Sequence, residues 1–207
     1  MSKTPFWEAS YRRPGRLDTF GGGKPGKDVV AAASLPAGSR VLDLGCGEGR
    51  NALYLASLGH VTFASDISPT GISKLESVAA DLGVEVTASV CDMRDYELPE
   101  ALDLVVCHGC LHLIPRCDWQ SVIQRLQQRT VDGGCHTVGV FTDTVPEPPD
   151  QEGLMVGLFR EGELAEPYST WDILDSSSLV FEHEHPEGPR HRHAANTLTA
   201  RKPRGEG

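Results

Sequence analysis

Apolar positions fall into short dense runs separated by stretches rich in glycine, proline and charge. Arg40 to Leu44 is one such run, ending in glycines, which predicts a buried strand. Residues 51–58 carry apolar side chains at helical spacing and stop at Gly59, a C-terminal helix signal. A second strand follows from Val61 to Ser65. Ser68 is placed to N-cap a helix running through Ala80, and Gly83 ends it. Val84 to Val90 and Leu102 to Cys107 predict the third and fourth strands, Asp118 to Arg129 an amphipathic helix, and Cys135 to Phe141 a fifth strand after Gly133 and Gly134. Alternation of strand and helix predicts a single α/β domain, a mostly parallel sheet with helices on both faces.

The two ends depart from this rhythm. Residues 1–27 are aromatic, glycine-rich and proline-rich and read as an irregular arm, with a short helix over 28–33. Trp7 and Tyr11 in that arm suit either a lid over a ligand or an anchor onto the core. The domain proper spans 28–207. Residues 142–170, dense in Pro, Glu and Gly, read as a loop or lid insert. Ser178 to His185 and His193 to Arg201 form a closing hairpin around residues 186–189.

Composition narrows the function. A net charge of −10 leaves no basic footprint of the kind nucleic-acid binders use. No apolar run approaches the ~20 residues of a membrane span. The N-terminal residues lack a signal peptide's apolar core, so the expected location is cytoplasmic. The six cysteines, Cys46, Cys91, Cys107, Cys110, Cys117 and Cys135, are scattered and read as reduced thiols.

Candidate chemistry centres on Val41-Leu-Asp-Leu-Gly-Cys-Gly-Glu-Gly49. Open α/β sheets bind ligands at the carboxyl ends of their strands. Gly45, Gly47 and Gly49, with Cys46 between them, let backbone approach a ligand closely and leave amides at a helix N-terminus. Asp43 offers a carboxylate to a cationic group. Asp66, with Ile67 beside it, closes the second strand and suits a ribose diol. Asp92 and Met93 close the third, where one can accept from an adenine amine and the other can stack on its ring. A nicotinamide dinucleotide site, and hence an oxidoreductase, also fits the pattern when counted from Gly47, because Ala52 then takes the third glycine position. Against it, no second half of a dinucleotide domain remains in the chain.

The run Asp43-Leu-Gly-Cys-Gly-Glu-Gly-Arg-Asn51, followed by Asp66 and Asp92, resembles class I S-adenosylmethionine-dependent methyltransferases over nearly the whole chain. That resemblance implies a Rossmann-like seven-stranded sheet in the order 3-2-1-4-5-7-6, its last strand antiparallel. It assigns Asp43 and Gly45 to Gly49 to the methionine part of S-adenosyl-L-methionine, Asp66 to the ribose, and Asp92 and Met93 to the adenine. Cys107 and His108 are assigned to the side of the transferable methyl.

Three stretches are similar to the tellurite-resistance (TehB-like) methyltransferases: Gly45 to Ala56, Phe159-Arg-Glu-Gly-Glu-Leu164 with Tyr168 and Trp171, and Ala200-Arg-Lys202. That family implies a small-molecule acceptor, such as a chalcogen oxyanion or a thiol, faced by a histidine and arginines of the final hairpin. Arg190 matches one arginine position. Where His-Arg is expected the chain has His183-Glu184-His185.

His183 and His185 share one strand face, as do His191 and His193. Four imidazoles on a hairpin suit a transition metal, but equally a substrate rim or a half-exposed polar edge. The Cys107-x-x-Cys110 pair lacks the second pair of a structural zinc site and reads as a strand end and turn, so no metal is expected. An anionic chalcogen acceptor needs no general base, whereas a neutral thiol or hydroxyl needs one, for which His108 and His183 are the candidates. A catalytically silent cofactor- or metal-binding regulator is the remaining alternative.

Overall fold

The structure, a computed structural model, describes residues 6–13, 21–147, 153–184 and 190–205. One sheet holds β1 (Arg40–Leu44), β2 (Val61–Asp66), β3 (Val86–Val90), β4 (Leu102–His108), β5 (Thr130–Thr142), β6 (Asp172–Glu184) and β7 (Arg190–Arg201). Their order is β3-β2-β1-β4-β5-β7-β6. The first five strands run parallel, and β7 is antiparallel to both β5 and β6. This is the strand order that the sequence resemblance implies.

Strand alternation sends side chains to two separate cores. Val41, Leu104 and Val106 pack with α2 (Lys27–Ala32) and α3 (Arg50–Ser57) on one face, where α4 (Pro69–Leu82) also lies, its Leu75 clustered with Ala52 and Ala64. Leu42, Leu44, Val105 and Cys107 pack on the other face with Trp119, Val122, Ile123 and Leu126 of α5 (Arg116–Arg129). β1 and β4 therefore have both faces covered, which is why apolar residues occupy both sets of alternating positions along them.

Several boundaries differ from expectation for identifiable reasons. β5 begins at Thr130, because Gly133 and Gly134 form an irregularity inside the strand, between the Leu102↔Thr130 and Leu104↔Cys135 pairings. β6 begins at Asp172, ahead of the predicted Ser178. Asp172 to Val180 is exposed throughout, so no buried face imposes alternation on its sequence. Part of the arm is helical, as α1 (Phe6–Tyr11). In the insert, Phe159, Leu164 and Tyr168 are buried, and Phe159 stacks on Trp119 with ring centroids 4.1 Å apart.

Candidate active site

The glycine loop joins β1 to α3 at the carboxyl edge of the sheet. Gly45 N and Cys46 N both donate to Ser65 O, at 2.8 and 3.0 Å, tying the loop to β2. Gly45 has φ +72°, and a Cβ there would lie 2.5 Å from Cys110 Sγ. Gly49 caps α3 with φ +87°, and a Cβ there would run into Leu75. Backbone shape and close packing both demand glycine at these two positions.

Asp43 is buried beneath the loop, where its Oδ2 accepts the Ala52 amide at 3.0 Å. Burial pushes its pKa up to about 6, against the downward pull of His108 and Arg50. Asp66 accepts Gly47 N at 2.8 Å on one carboxylate oxygen and Ser68 N at 2.9 Å on the other, and burial raises its pKa as well. Ser68 in turn caps α4 by accepting Gly71 N. Ile67, next to Asp66, is 59% exposed at the sheet edge.

Tyr11 closes one side of the loop. Its hydroxyl would lie 2.6 Å from a Cβ on Gly47, and its ring 3.2 Å from one on Gly71. Its hydroxyl pKa is driven upward by burial first, then by the negative surroundings of Asp66, Cys46, Glu48 and Glu8. Thr70 donates to Glu8, and Lys74 donates to Arg13 O and pairs with Glu48, so α1 is held on α4. Tyr11 of α1 thus forms part of the loop's wall. Cys46 is buried, and its thiol pKa is raised by burial and then by Asp43 and Asp66.

At the end of β3 the Asp92 carboxylate is held by Arg94, with Nη2 to Oδ2 at 2.6 Å and Nε to Oδ1 at 3.0 Å. The guanidinium holds the Asp92 pKa below its ordinary value. Arg94 also reaches Asp118 at 3.4 Å. Met93 is half-buried against the α5-side core. Arg94 was missed in the sequence, although its i+2 spacing from Asp92 was a usable signal.

The end of β4 carries Cys107 and His108. Cys107 has no exposure at all, and its Sγ lies 3.2 Å from that of Cys110, inside the core. Strand alternation turns it to the α5 side and the neighbouring His108 to the opposite face. His108 Nε2 lies 2.8 Å from Asp28 Oδ2. The Thr137 hydroxyl donates to the same Asp28 oxygen at 2.7 Å. Burial opposes ionisation of Asp28, but the hydrogen bond and charge of His108 and the Thr137 hydroxyl outweigh it, and its pKa is lowered. Sequence reasoning did not single out Asp28.

The His-rich hairpin is described only in part. His183 pairs with His191 and Glu184 with Arg190 in backbone register, while His185 lies outside the described residues. Because Thr142 at the end of β5 pairs with Ala194, residues 190–193 run beyond the carboxyl end of β5. His193 is buried and stacked on Phe141 at 4.5 Å, and His112 stacks on the same ring at 4.5 Å. Among the described residues no group of three or more metal-ligating side chains converges. No helix among them is long and apolar enough to cross a membrane.

Taken together, Asp43 and Asp66 place two carboxylates against the glycine loop. S-adenosylmethionine carries a sulfonium and an ammonium against one carboxylate, so its net positive charge fits such a cradle. A model of the family described as tellurite resistance protein TehB matches residues 22–191. The chain is 31% identical over 179 residues to a Haemophilus influenzae protein described as a probable S-adenosyl-L-methionine-dependent methyltransferase TehB, covering 84% of this chain and 61% of that one. The chain thus spans about three-fifths of the length of that relative. The crystal structure of TehB from Haemophilus influenzae superposes with a TM-score of 0.75 at 29% identity, over 86% of this chain and 62% of that one. The N-methyltransferase NodS from Bradyrhizobium japonicum, solved with S-adenosyl-L-homocysteine, shares the fold at TM-score 0.65 and 16% identity, over 85% of this chain and 84% of that one.

Proposed function

We propose that this chain, which belongs to the TehB family of class I S-adenosylmethionine-dependent methyltransferases, transfers a methyl group from that cofactor to a small, soft nucleophile. The observation that carries the reading is the acid-lined glycine loop at the carboxyl ends of β1 and β2. S-adenosylmethionine supplies an electrophilic methyl on a positively charged sulfur. The protein's share is to orient the partners and exclude water.

Asp66 accepts the ribose hydroxyls while two backbone amides fix its carboxylate. Asp43 supplies negative charge from beneath the loop toward the methionine ammonium, and the backbone at Gly45 and Gly47 gives the ligand a close approach. Ile67 and Met93 offer apolar surface to the adenine. Asp92, bidentate on Arg94, retains acceptor capacity for the adenine amine.

For the acceptor, the family points to a chalcogen oxyanion, such as tellurite or selenite, or to a thiol. Arg190 with His183 or His185 forms a cationic rim for an anionic acceptor. Support comes from the backbone register, which carries this end of β7 past the edge where the glycine loop lies. A chain of net charge −10 needs a local positive site to hold an anion. Arg190→Ala should raise KM for an oxyanion and lower kcat/KM while leaving cofactor affinity in place. The function itself is tested by incubating the protein with S-adenosylmethionine and small thiols, selenite or tellurite, and following S-adenosylhomocysteine release. Release that depends on one acceptor class identifies the substrate. No release with any of them removes this acceptor assignment.

A further inference from the structure

We propose that Asp28 and His108 form a carboxylate–imidazole dyad in which His108 Nδ1 is the proton acceptor for a neutral methyl acceptor, with Asp28 as the positioning residue. The proposal rests on the methyltransferase reading and narrows it, since it commits the site to accept a protonated nucleophile.

The hydrogen-bond geometry determines which ring nitrogen carries the proton. Asp28 Oδ2 lies 2.8 Å from His108 Nε2 and receives the Thr137 hydroxyl proton at 2.7 Å. Thr137 Oγ1 is itself 3.5 Å from Nε2, with its hydrogen spent on Asp28. Both oxygens facing Nε2 are therefore acceptors, so Nε2 holds the hydrogen and Nδ1 keeps its lone pair. Among the described residues Nδ1 has no hydrogen-bond partner, and the side chain stays 13% exposed.

The Gly26 backbone packs closely against the dyad. A Cβ at residue 26 would lie 3.3 Å from Nδ1, 3.0 Å from Cε1 and 2.6 Å from Asp28 Oδ1, so only glycine leaves both members undisturbed. Gly26 N donates to Asn51 Oδ1 at 3.0 Å, and Arg50 donates to Lys24 O at 3.0 Å. The segment that carries Asp28 is thereby tied to the first turn of α3, directly after the glycine loop. Titratable groups near His108 come from two elements, Asp28 of α2 and Asp43 of β1.

The proton balance is simple. The acceptor's lone pair forms the bond to the methyl carbon, the carbon–sulfur bond breaks with its electron pair left on sulfur, and the acceptor's proton passes to His108 Nδ1. Asp28 then faces the imidazolium across the existing hydrogen bond. An acceptor that is already anionic makes no use of the dyad.

The test has an arm that needs no turnover. Nitrogen-15 NMR of the histidine rings in the wild-type protein should show neutral His108 protonated on Nε2. A His108 protonated on Nδ1 overturns the proposal without any variant. Asp28→Asn keeps the shape but removes the carboxylate that faces the imidazolium, so it should act on kcat/KM for a thiol acceptor. It should cut that kcat/KM by about a hundredfold at neutral pH while S-adenosylhomocysteine binding and kcat/KM for an ionised selenium acceptor stay unchanged. An equal loss for both acceptors, or for neither, defeats the dyad and leaves the methyltransferase reading standing. Absence of S-adenosylhomocysteine binding to the wild type defeats that reading instead.

Discussion

Asp66 receives one backbone amide on each carboxylate oxygen, from Gly47 and Ser68, and each oxygen keeps a further lone pair for a ribose hydroxyl. Charge-assisted bonds of this kind contribute ~1.5–3 kcal/mol each. Asp66→Ala should therefore weaken S-adenosylhomocysteine binding by about a hundredfold or more, measured by calorimetry on a folded variant. A variant that binds like wild type removes the ribose assignment. Asp43 makes a different, pH-dependent prediction. Its carboxyl titrates near pH 6 in the free protein, and the cationic cofactor favours the ionised form. Affinity should be flat above that value and fall on acidification through it, by up to about tenfold per pH unit. Asp43→Asn should weaken binding at neutral pH and flatten the profile. A wild-type affinity that does not change between pH 7 and 5 contradicts a role for this charge.

Elements explain which parts of the site were legible in the sequence. Gly45 to Gly49 could be read because backbone conformation and packing leave few residue choices there, and Asp43 and Asp66 because each closes a buried strand. Asp28 and the Phe141 stack could not, since each depends on contacts between distant elements: α2 with β4 and β5, and β5 with β7. Burial of the Cys107 side chain was not legible either, because alternation at a strand end decides the face. The insert makes its own test. A Cβ at Gly157 would strike the Ile114 carbonyl, where Gly157 N already donates to His112 O at 3.0 Å. Gly157→Ala should destabilise the protein by ~1–3 kcal/mol in urea unfolding and leave cofactor binding intact. An unchanged midpoint means the insert does not dock tightly on this turn.

At the scale of the whole molecule, His112 and His136, among the described residues, are locked in the core as neutral rings. Burial, with the charge of His193, lowers the His112 pKa to about 3. Burial, with the Lys202 ammonium, does the same to His136. Thr130 Oγ1 donates to Leu126 O at 2.7 Å and so accepts from His136 Nε2, which leaves Nδ1 to accept the Tyr168 hydroxyl at 2.9 Å. The unfolded chain binds protons at these rings below an ordinary value of 6.5, whereas the fold refuses them until about 3. Stability contributed by the neutral rings is thus present above pH 6.5 and lost as pH falls toward 3, by at most ~1.4 kcal/mol per pH unit for each ring. Urea midpoints should drop steadily from pH 7 to 4, and a flat series would show that the rings are not held neutral. The central claim is that the acid-lined loop of this fold is a cofactor site for S-adenosylmethionine. The direct test is calorimetric titration of the purified protein with S-adenosylmethionine, S-adenosylhomocysteine and NADH. The account predicts saturable binding of the first two at one site per chain and none of the third; binding of NADH with no response to either adenosyl compound would contradict it.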